Sequence, residues 1–313
     1  MRRDDYGTCR TVEGVTMMRD WEAQFREWAK PPGKTEQERC ENAVSAIRNA
    51  IKESDKLSAR SVSVFAHGSY RNNTNVRKDS DVDIGILCTD TFFYDPLPEG
   101  WTEERLGFSD ATYHYEQYKN EVEEALVYYF GRSAVKRGNK AFDIHETSYH
   151  VEADVAAFFE HRRYLTNGTY LEGVELRTDK EDRRIINWPE QHYTNGCRKN
   201  SSTGTRFKSI VRVLKALSDE MTEEDVNAAN IPGFLIECLV WNVPDSDFQN
   251  PTYRDDVRAA LAFLFNNTRS YEDCKEWGEV SELIYLFHSD QKWTWQQAHA
   301  FTSAAWDYIG FED

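Results

Sequence analysis

Two aspartates one residue apart, Asp81 and Asp83, open a short apolar run and constrain the fold of this chain more than any other feature. Side chains along a β-strand point alternately to opposite faces, so the two aspartates share one face while Val82 and Ile84 occupy the other. Hard divalent cations such as Mg²⁺ prefer carboxylate and phosphate oxygens as ligands. The run therefore predicts a strand whose polar face supports a metal-assisted reaction on a phosphate compound.

A Gly-Ser pair precedes this strand. Residues 61–66 alternate in polarity and predict a strand that ends near His67, and Gly68 and Ser69 follow at once. Glycine lets the backbone approach a phosphate closely, and serine offers a hydroxyl and a backbone N–H at a predicted helix N-terminus. An isolated Asp-x-Asp is more often a turn or a solvated edge, but the turn just upstream favours a nucleotide site.

A third carboxylate is expected, because one cation must help an attacking hydroxyl lose its proton while another holds a triphosphate. Asp154 is the best candidate, since it lies on the polar face of the alternating segment 149–156. Glu152 shares that face and is the alternative, and both can also be read as solvated edge charges. The sequence thus predicts two divalent cations, Mg²⁺ or Mn²⁺, held by Asp81, Asp83 and Asp154.

Size, charge and hydropathy limit the classes of function. The chain has 313 residues, enough for two modest domains. No apolar stretch approaches the roughly 20 residues of a membrane helix and no signal-peptide pattern is present, so we expect no membrane association and a cytoplasmic location. The formal net charge of −16 disfavours a grip on long DNA or RNA, so no template is expected. Nucleoside triphosphates carrying their own Mg²⁺ remain compatible partners.

The six cysteines form no Cys-x-x-Cys pair, which favours reduced thiols over a disulfide framework. His192 and Cys197 are close enough in sequence to contribute to a zinc site. No second pair completes a tetrahedral set, so zinc is the weaker alternative.

Strand patterns dominate the first part of the chain and helical patterns the second. Turn residues cluster near 188–189 and 195–196, where the strand patterns cease. The predicted helices are 18–30, 35–54 behind a capping box at 35–38, 113–130, 205–217, 232–241, 253–265 and 295–309. We predict an α+β architecture with a mixed-sheet catalytic lobe, residues 1–195, a helical lobe, residues 196–313, and the active site in a cleft between them.

Segments 67–75, 79–83 and 236–244, together with Asp154, resemble the bacterial CD-NTases, relatives of cyclic GMP-AMP synthase and oligoadenylate synthetase. The similarity covers nearly the whole chain and is closest to the clade that contains pyrimidine-using cyclic dinucleotide synthases. The resemblance implies a polymerase-β-like nucleotidyltransferase lobe and a helical lobe. It also implies an enzyme that joins nucleoside triphosphates into a cyclic dinucleotide or oligonucleotide for antiphage (CBASS) signalling, with a separate effector protein reading the product.

Carried over residue by residue, the resemblance makes Asp81, Asp83 and Asp154 the catalytic metal triad and Gly68-Ser69 the triphosphate turn. The resemblance also assigns a phosphate-binding lysine, which lies on the predicted helix 205–217.

Lys208 stands where the family places a phosphate-binding lysine. Independently, Lys208, Arg212 and Lys215 lie at helical spacing on one face. For Arg212 and Lys215 a solvated basic face is an equal alternative.

Two positions bear on the base. Similar proteins often carry Pro-Ser-Tyr where this chain has Pro232-Gly233-Phe234. Gly233 has no hydroxyl for a phosphate, whereas Phe234 can either stack on a base or pack in the core. Asn187 resembles the pocket position that biases base choice in this clade, and its amide matches the edge of uracil as well as that of adenine. We therefore expect UTP to be at least one substrate.

Two other functions stay open. One is a linear oligonucleotide synthase or an AMP-transferring nucleotidyltransferase, which shares the reaction class. The other is an inactive nucleotide-binding scaffold, against which the complete set of three aspartates argues.

Overall fold

The computed structural model describes residues 11–12, 15–16, 19–76, 81–146 and 151–311. They divide into two compact units. The sheet unit comprises Pro32–Asn72 and Arg77–Glu190, and the helical unit comprises Met1–Pro31, Asn73–Val76 and Gln191–Asp313. The predicted mixed-sheet and helical lobes are confirmed, while the division between residues 195 and 196 stays a prediction. Across the described ranges, no helix is long and apolar enough to cross a membrane.

The strands are β1 (Thr11–Val12), β2 (Val15–Thr16), β3 (Val62–Ala66), β4 (Val82–Tyr94), β5 (Val135–Arg137), β6 (Phe142–Glu146), β7 (Val151–Tyr164), β8 (Tyr170–Arg177) and β9 (Arg184–Asn187). The helices are α1 (Trp21–Trp28), α2 (Lys34–Lys52), α3 (Asp55–Ser58), α4 (Gly68–Asn72), α5 (Glu103–Leu106), α6 (Tyr115–Phe130), α7 (Pro189–Ser202), α8 (Arg206–Glu223), α9 (Gly233–Asn242), α10 (Tyr253–Asn267), α11 (Tyr271–Cys274) and α12 (Trp295–Ile309), with a 3₁₀ turn at Asp245–Phe248.

The long strands β4 and β7 form the centre of the main sheet. The strand order is β3-β4-β7-β6-β5, and β8 pairs with both β7 and β9. The β4–β7 pair is parallel and its neighbours in the sheet are antiparallel, so the sheet is mixed. Ile84 and Ile86 of β4 are fully buried in one apolar core with Ile47 of α2 and Val122 of α6. This packing leaves the opposite face of β4 for its polar residues.

Helix α8 lies at the centre of the helical unit. Its apolar stripe, which includes Ile210, Val213 and Leu217, is fully buried, and Phe25 of the N-terminal helix α1 joins the same core. Helix α8 continues six residues past its predicted end at residue 217. The other long helices predicted for the second part of the chain, α9, α10 and α12, are confirmed to within two residues at each end.

The capping box predicted at residues 35–38 was displaced by two residues. Helix α2 begins at Lys34, and the N-cap is Gly33, whose N–H donates to the Glu36 carboxylate at 2.8 Å. A glycine can serve as the N-cap because the box also depends on the Glu36 side chain reaching back.

The turn predicted around Asn195 and Gly196 was wrong, because α7 runs through both residues. The Asn195 amide donates to the Val280 carbonyl at 2.9 Å. A Cβ at Gly196 would meet Val280 and Phe207 at 3.8 and 3.9 Å, the usual range of van der Waals contact. These residues therefore serve the packing of a helix, which local turn propensity cannot distinguish from a turn.

The helical unit also buries the carboxyl group of Glu279. Gln291 donates to it at 2.7 Å, and burial raises the pKa of Glu279 from 4.5 to about 7. The folded protein therefore holds this proton more tightly than the unfolded chain does. The resulting stabilisation is fully present below about pH 4.5 and is lost as the pH rises towards 7.

We predict that Glu279→Gln removes this pH dependence. At pH 8 the variant should have a free energy of unfolding roughly 2 kcal/mol above that of the parent protein, and at pH 4.5 the difference should vanish. Urea denaturation followed by tryptophan fluorescence measures both values. Glu272→Gln changes an exposed glutamate of the same unit and serves as the control. An equal gain for Glu279→Gln at both pH values would contradict the prediction.

Candidate functional site

The pairing of β4 with β7 brings two predicted site residues together. Asp83 lies directly opposite Asp154 in the parallel ladder, and Asp154 lies opposite Asp143 of β6. Opposed residues share a face, and neighbouring strands are about 4.8 Å apart. Three carboxylates therefore form a row across the sheet, and Asp81 immediately precedes the strand that carries Asp83.

The neighbouring carboxylates Asp143 and Asp81 change the proton affinity of Asp154. Burial raises the pKa of Asp154, and the charges of Asp143 and Asp81 raise it further, against a smaller opposing effect of His145. Carboxylates that disfavour one another's ionisation in this way create a site that attracts cations.

The turn at Gly68 packs directly against Asp83. Gly68 begins α4 with φ at +64°, and a Cβ there would lie 2.0 Å from Asp83 Oδ2. The His67 N–H also donates to the Asp83 carbonyl at 2.9 Å. Only glycine fits this position. Ser69 is the second residue of α4, so the predicted helix N-terminus after the strand is confirmed.

The donor set suits a hard divalent cation. Asp81, Asp83 and Asp154 offer carboxylate oxygens, and the absence of a Cβ at Gly68 lets the Asp83 carboxylate lie directly against the turn. In the part of the chain that the structure describes, no three His, Cys, Asp or Glu side chains are gathered closely enough to hold a metal on their own. Mg²⁺ in proteins is commonly held by one or two carboxylates together with the phosphates of a substrate.

Glu152, the alternative to Asp154, has different neighbours. It lies opposite His145, and its carboxylate is 3.6 Å from the Arg39 guanidinium. The register thus favours Asp154 as the third carboxylate. Asp143 of β6 was not singled out from the sequence.

Lys208 lies in the helical unit. It is buried, with Nζ 3.5 Å from Cys197 Sγ and 5.6 Å from the centre of the Tyr193 ring. Its role towards phosphate stays a prediction. Tyr193 is an exposed aromatic beside this lysine that sequence reasoning missed, because nothing in the local pattern of α7 predicted a helix.

The solvated basic face considered for Arg212 and Lys215 was wrong. Arg212 is only 4% exposed and donates to the carbonyls of Ala29 and Asn73. Burial lowers the pKa of Arg212 to about 10. Lys215 is buried as well, and its Nζ lies 3.7 Å from the carboxylate of Glu237. Both cations therefore hold the helical unit together internally.

Glu237 is the centre of this buried polar group. Burial would raise its pKa, but hydrogen bonds from His192 at 2.9 Å and Thr74 at 2.7 Å, with the charge of Lys215, lower the pKa of Glu237 to about 2. His192 is thus engaged with a carboxylate, and the zinc alternative for His192 and Cys197 finds no support in the described residues.

Phe234 is 39% exposed at the start of α9, so the alternative of core packing was wrong. Its ring lies 5.7 Å from that of His192 and 5.8 Å from that of Trp293, in tilted arrangements. Part of an aromatic face therefore remains accessible, and stacking on a base stays a prediction.

Asn187 ends β9 in the sheet unit. It is exposed, lies opposite Val174 of β8 and is followed by the buried Trp188. Its predicted role in base choice requires an accessible amide, which this position has.

Comparisons with known proteins identify both parts of the chain. A nucleotidyltransferase domain model matches residues 44–165, and a model of the cGAS/DncV-like nucleotidyltransferase C-terminal helical domain matches residues 194–310. Cyclic dipyrimidine nucleotide synthases CdnE from Cecembia lonarensis and Legionella pneumophila are each 43% identical to this chain, over 93% of its length and 98% of theirs.

Solved structures agree with these matches. The c-UMP-AMP synthase CdnE of Rhodothermus marinus, solved with Apcpp and Upnpp, superposes with a TM-score of 0.82 at 29% identity, covering 93% of this chain and 97% of that one. The CdnE cyclic dinucleotide synthase of Elizabethkingia meningoseptica, solved with GTP and Apcpp, gives 0.76 at 32% identity, covering 94% and 100%. The order of the two units along the chain agrees with the order of the two domain matches, and the chain belongs to the CD-NTase family of nucleotidyltransferases.

Proposed function

We propose that this enzyme uses divalent cations to join nucleoside triphosphates into a cyclic dinucleotide, with UTP as at least one substrate. The observation that carries the proposal is the in-register pair Asp83 and Asp154 beside a turn in which only glycine fits. The names of the relatives support the use of a pyrimidine nucleotide as substrate, since two of them are called cyclic dipyrimidine nucleotide synthases. We further propose that the product is an antiphage signal read by a separate effector protein.

In this mechanism Asp81, Asp83 and Asp154 would hold two Mg²⁺ ions. When bound, the ions neutralise charge on the triphosphate and lower the pKa of the acceptor hydroxyl. The backbone at Gly68 and the hydroxyl of Ser69 orient the donor triphosphate. We assign Asp154 to the acceptor side, because it lies on β7 across the sheet from Asp83, and a cation that it would hold there would lower the pKa of the acceptor hydroxyl.

The acceptor ribose oxygen then attacks the α-phosphorus of the donor in line, and pyrophosphate leaves. A second transfer of the same kind, after the linear intermediate has turned round, closes the ring. We assign the buried Lys208 to the triphosphate and the exposed Phe234 to base stacking.

Product analysis separates this function from its alternatives. The protein is incubated with Mg²⁺ and four labelled nucleoside triphosphates, treated with phosphatase, and the products are identified by mass. A phosphatase-resistant cyclic product containing UMP is expected. A phosphatase-sensitive chain would indicate a linear synthase, transfer of AMP to protein would indicate the AMP-transferring alternative, and no product would indicate a scaffold.

We predict that Asp81→Ala with Asp83→Ala, and separately Asp154→Ala, lower the rate of product formation at least about 10²–10³-fold, because the developing charge loses its stabilisation. Initial rates at saturating nucleotide measure the loss, and thermal unfolding checks that each variant folds. Glu152→Ala on the same strand face distinguishes the two candidates for the third carboxylate. Loss of activity in Glu152→Ala alone would contradict the assignment of Asp154.

We predict that Gly68→Ala disables the enzyme by a comparable factor, because the added methyl group occupies the position of the Asp83 carboxylate. The matched control is Gly107→Ala. Gly107 has a similar φ of +72°, but a Cβ added there would meet no atom within 4 Å, so it shares the backbone strain without the clash. Equal effects of the two substitutions on activity would show that strain alone is responsible.

We predict that Asn187→Ala lowers the ratio of UMP to purine nucleotides in the product about tenfold, the value of one hydrogen bond of about 1.4 kcal/mol. Competition between UTP and ATP, followed by mass analysis, measures the ratio. Thr166→Ala, which removes a polar side chain from the β7–β8 turn, is the control. An unchanged ratio in Asn187→Ala would contradict the role of this amide.

A further inference from the structure

A histidine without solvent exposure contacts Trp188, the residue that follows Asn187. His161 of β7 has its Nδ1 2.8 Å from Oε2 of Glu175, which is also fully buried. Burial alone would lower the pKa of His161, but the adjoining carboxylates outweigh it and raise that pKa, which favours a positive imidazolium. The core of the sheet unit therefore contains a buried imidazole and carboxylates that require well-placed partners.

One arm of contacts runs from His161 to the start of β9. The two oxygens of Glu175 accept from Arg184 Nε at 2.7 Å and Nη2 at 2.8 Å. This bidentate geometry fixes the orientation of the Arg184 guanidinium as well as its distance from Glu175. Arg184 is the first residue of β9, so the beginning of that strand is tied to the histidine.

A second arm runs to the residue just after β9. The Nε2 of His161 lies 3.3 Å from Asp95, which accepts from Arg163 Nε at 2.7 Å. The Arg163 guanidinium lies 4.7 Å from the centre of the Trp188 ring. The same ring meets His161 edge-on at 5.5 Å.

The backbone of β8 at Gly173 also packs against the Trp188 ring. A Cβ at Gly173 would lie 2.8 Å from it and 3.0 Å from the Asn187 carbonyl. The β8 backbone thus packs directly against Trp188 and the main chain of Asn187, and a side chain at position 173 would push both away.

Asn187 lies between Arg184 and Trp188, which are both held by these contacts. Its own side chain is exposed, while Arg184 and Trp188 both lead back to His161. A residue that reads the edge of a base must be held to within about 0.5 Å, and its supporting contacts supply that precision. Buried ion pairs contribute little net stability. We therefore interpret the group around His161 as one that fixes a single local geometry.

We propose that His161, with its arms through Glu175–Arg184 and Asp95–Arg163–Trp188, is a positioning unit that orients Asn187 and thereby sets the base preference of the enzyme. The inference rests on the proposed role of Asn187 in base choice. None of these supporting residues needs to touch the nucleotide.

The test is Arg184→Gln, which breaks the first arm at a residue whose side chain is 41% exposed. The matched control is Arg177→Gln. Arg177 lies directly opposite Arg184 on β8, but it pairs with the exposed Asp182. The two variants thus remove the same charge from the same hairpin.

In competition between UTP and ATP, Arg184→Gln should lower the UMP fraction of the product three- to tenfold and raise the KM for UTP. The KM for ATP and the unfolding temperature should match those of Arg177→Gln. In an Asn187→Ala background, Arg184→Gln should cause no further change in base ratio, because the two residues act through one group. If Arg184→Gln does not fold, Asp95→Asn breaks the second arm and is judged by the same assay.

Each failure has its own signature. A parent enzyme that incorporates no UMP overturns the proposed base choice and this inference with it. A parent enzyme that incorporates UMP, with the same base ratio in Arg184→Gln and Arg177→Gln, overturns only the positioning unit. Additive effects of Arg184→Gln and Asn187→Ala on the ratio would also overturn it.

Discussion

The parallel pairing of β4 with β7 is the constraint on which the rest of the sheet unit depends. It places Asp83 opposite Asp154, residues 71 positions apart in the chain, and every neighbouring strand is added to this pair. A slip of one residue would turn Asp154 into the core and Val155 out of it. The buried face of β4 resists such a slip, because Ile84 and Ile86 would lose their apolar contacts. Hydrophobic packing on one face thus maintains the carboxylate row on the other.

Each unit is also organised by a buried charge with several partners. In the helical unit Glu237 accepts from Thr74 and His192, and in the sheet unit His161 lies between Asp95 and Glu175. Such groups are costly to bury and tolerate few alternative arrangements, so they define geometry more than they add stability. A nucleotidyltransferase needs that rigidity, because in-line transfer depends on holding two nucleotides in one relative orientation.

Local patterns predicted most of the elements but not how polar residues are used inside them. The spacing of Lys208, Arg212 and Lys215 correctly predicted one helix face, yet the same spacing cannot reveal that Ala29 and Asn73 cover Arg212. The helix through Asn195 and Gly196 was missed for the same reason, since its turn-like residues are chosen for contacts with distant segments. Long-range partners leave no mark on the local sequence.

The sequence by itself determined the chemistry, because Asp-x-Asp on an alternating strand, a Gly-Ser turn before it and a later aspartate specify residue types and faces without reference to distant packing. The tertiary structure alone decided which carboxylate joins the row. Asp154 and Glu152 share one face of one strand, and only the register with β4 sets Asp154 beside Asp83 while Glu152 meets His145 and Arg39. The physical reason is that periodicity fixes the face of a side chain, whereas its neighbour across the sheet depends on how two separate strands align.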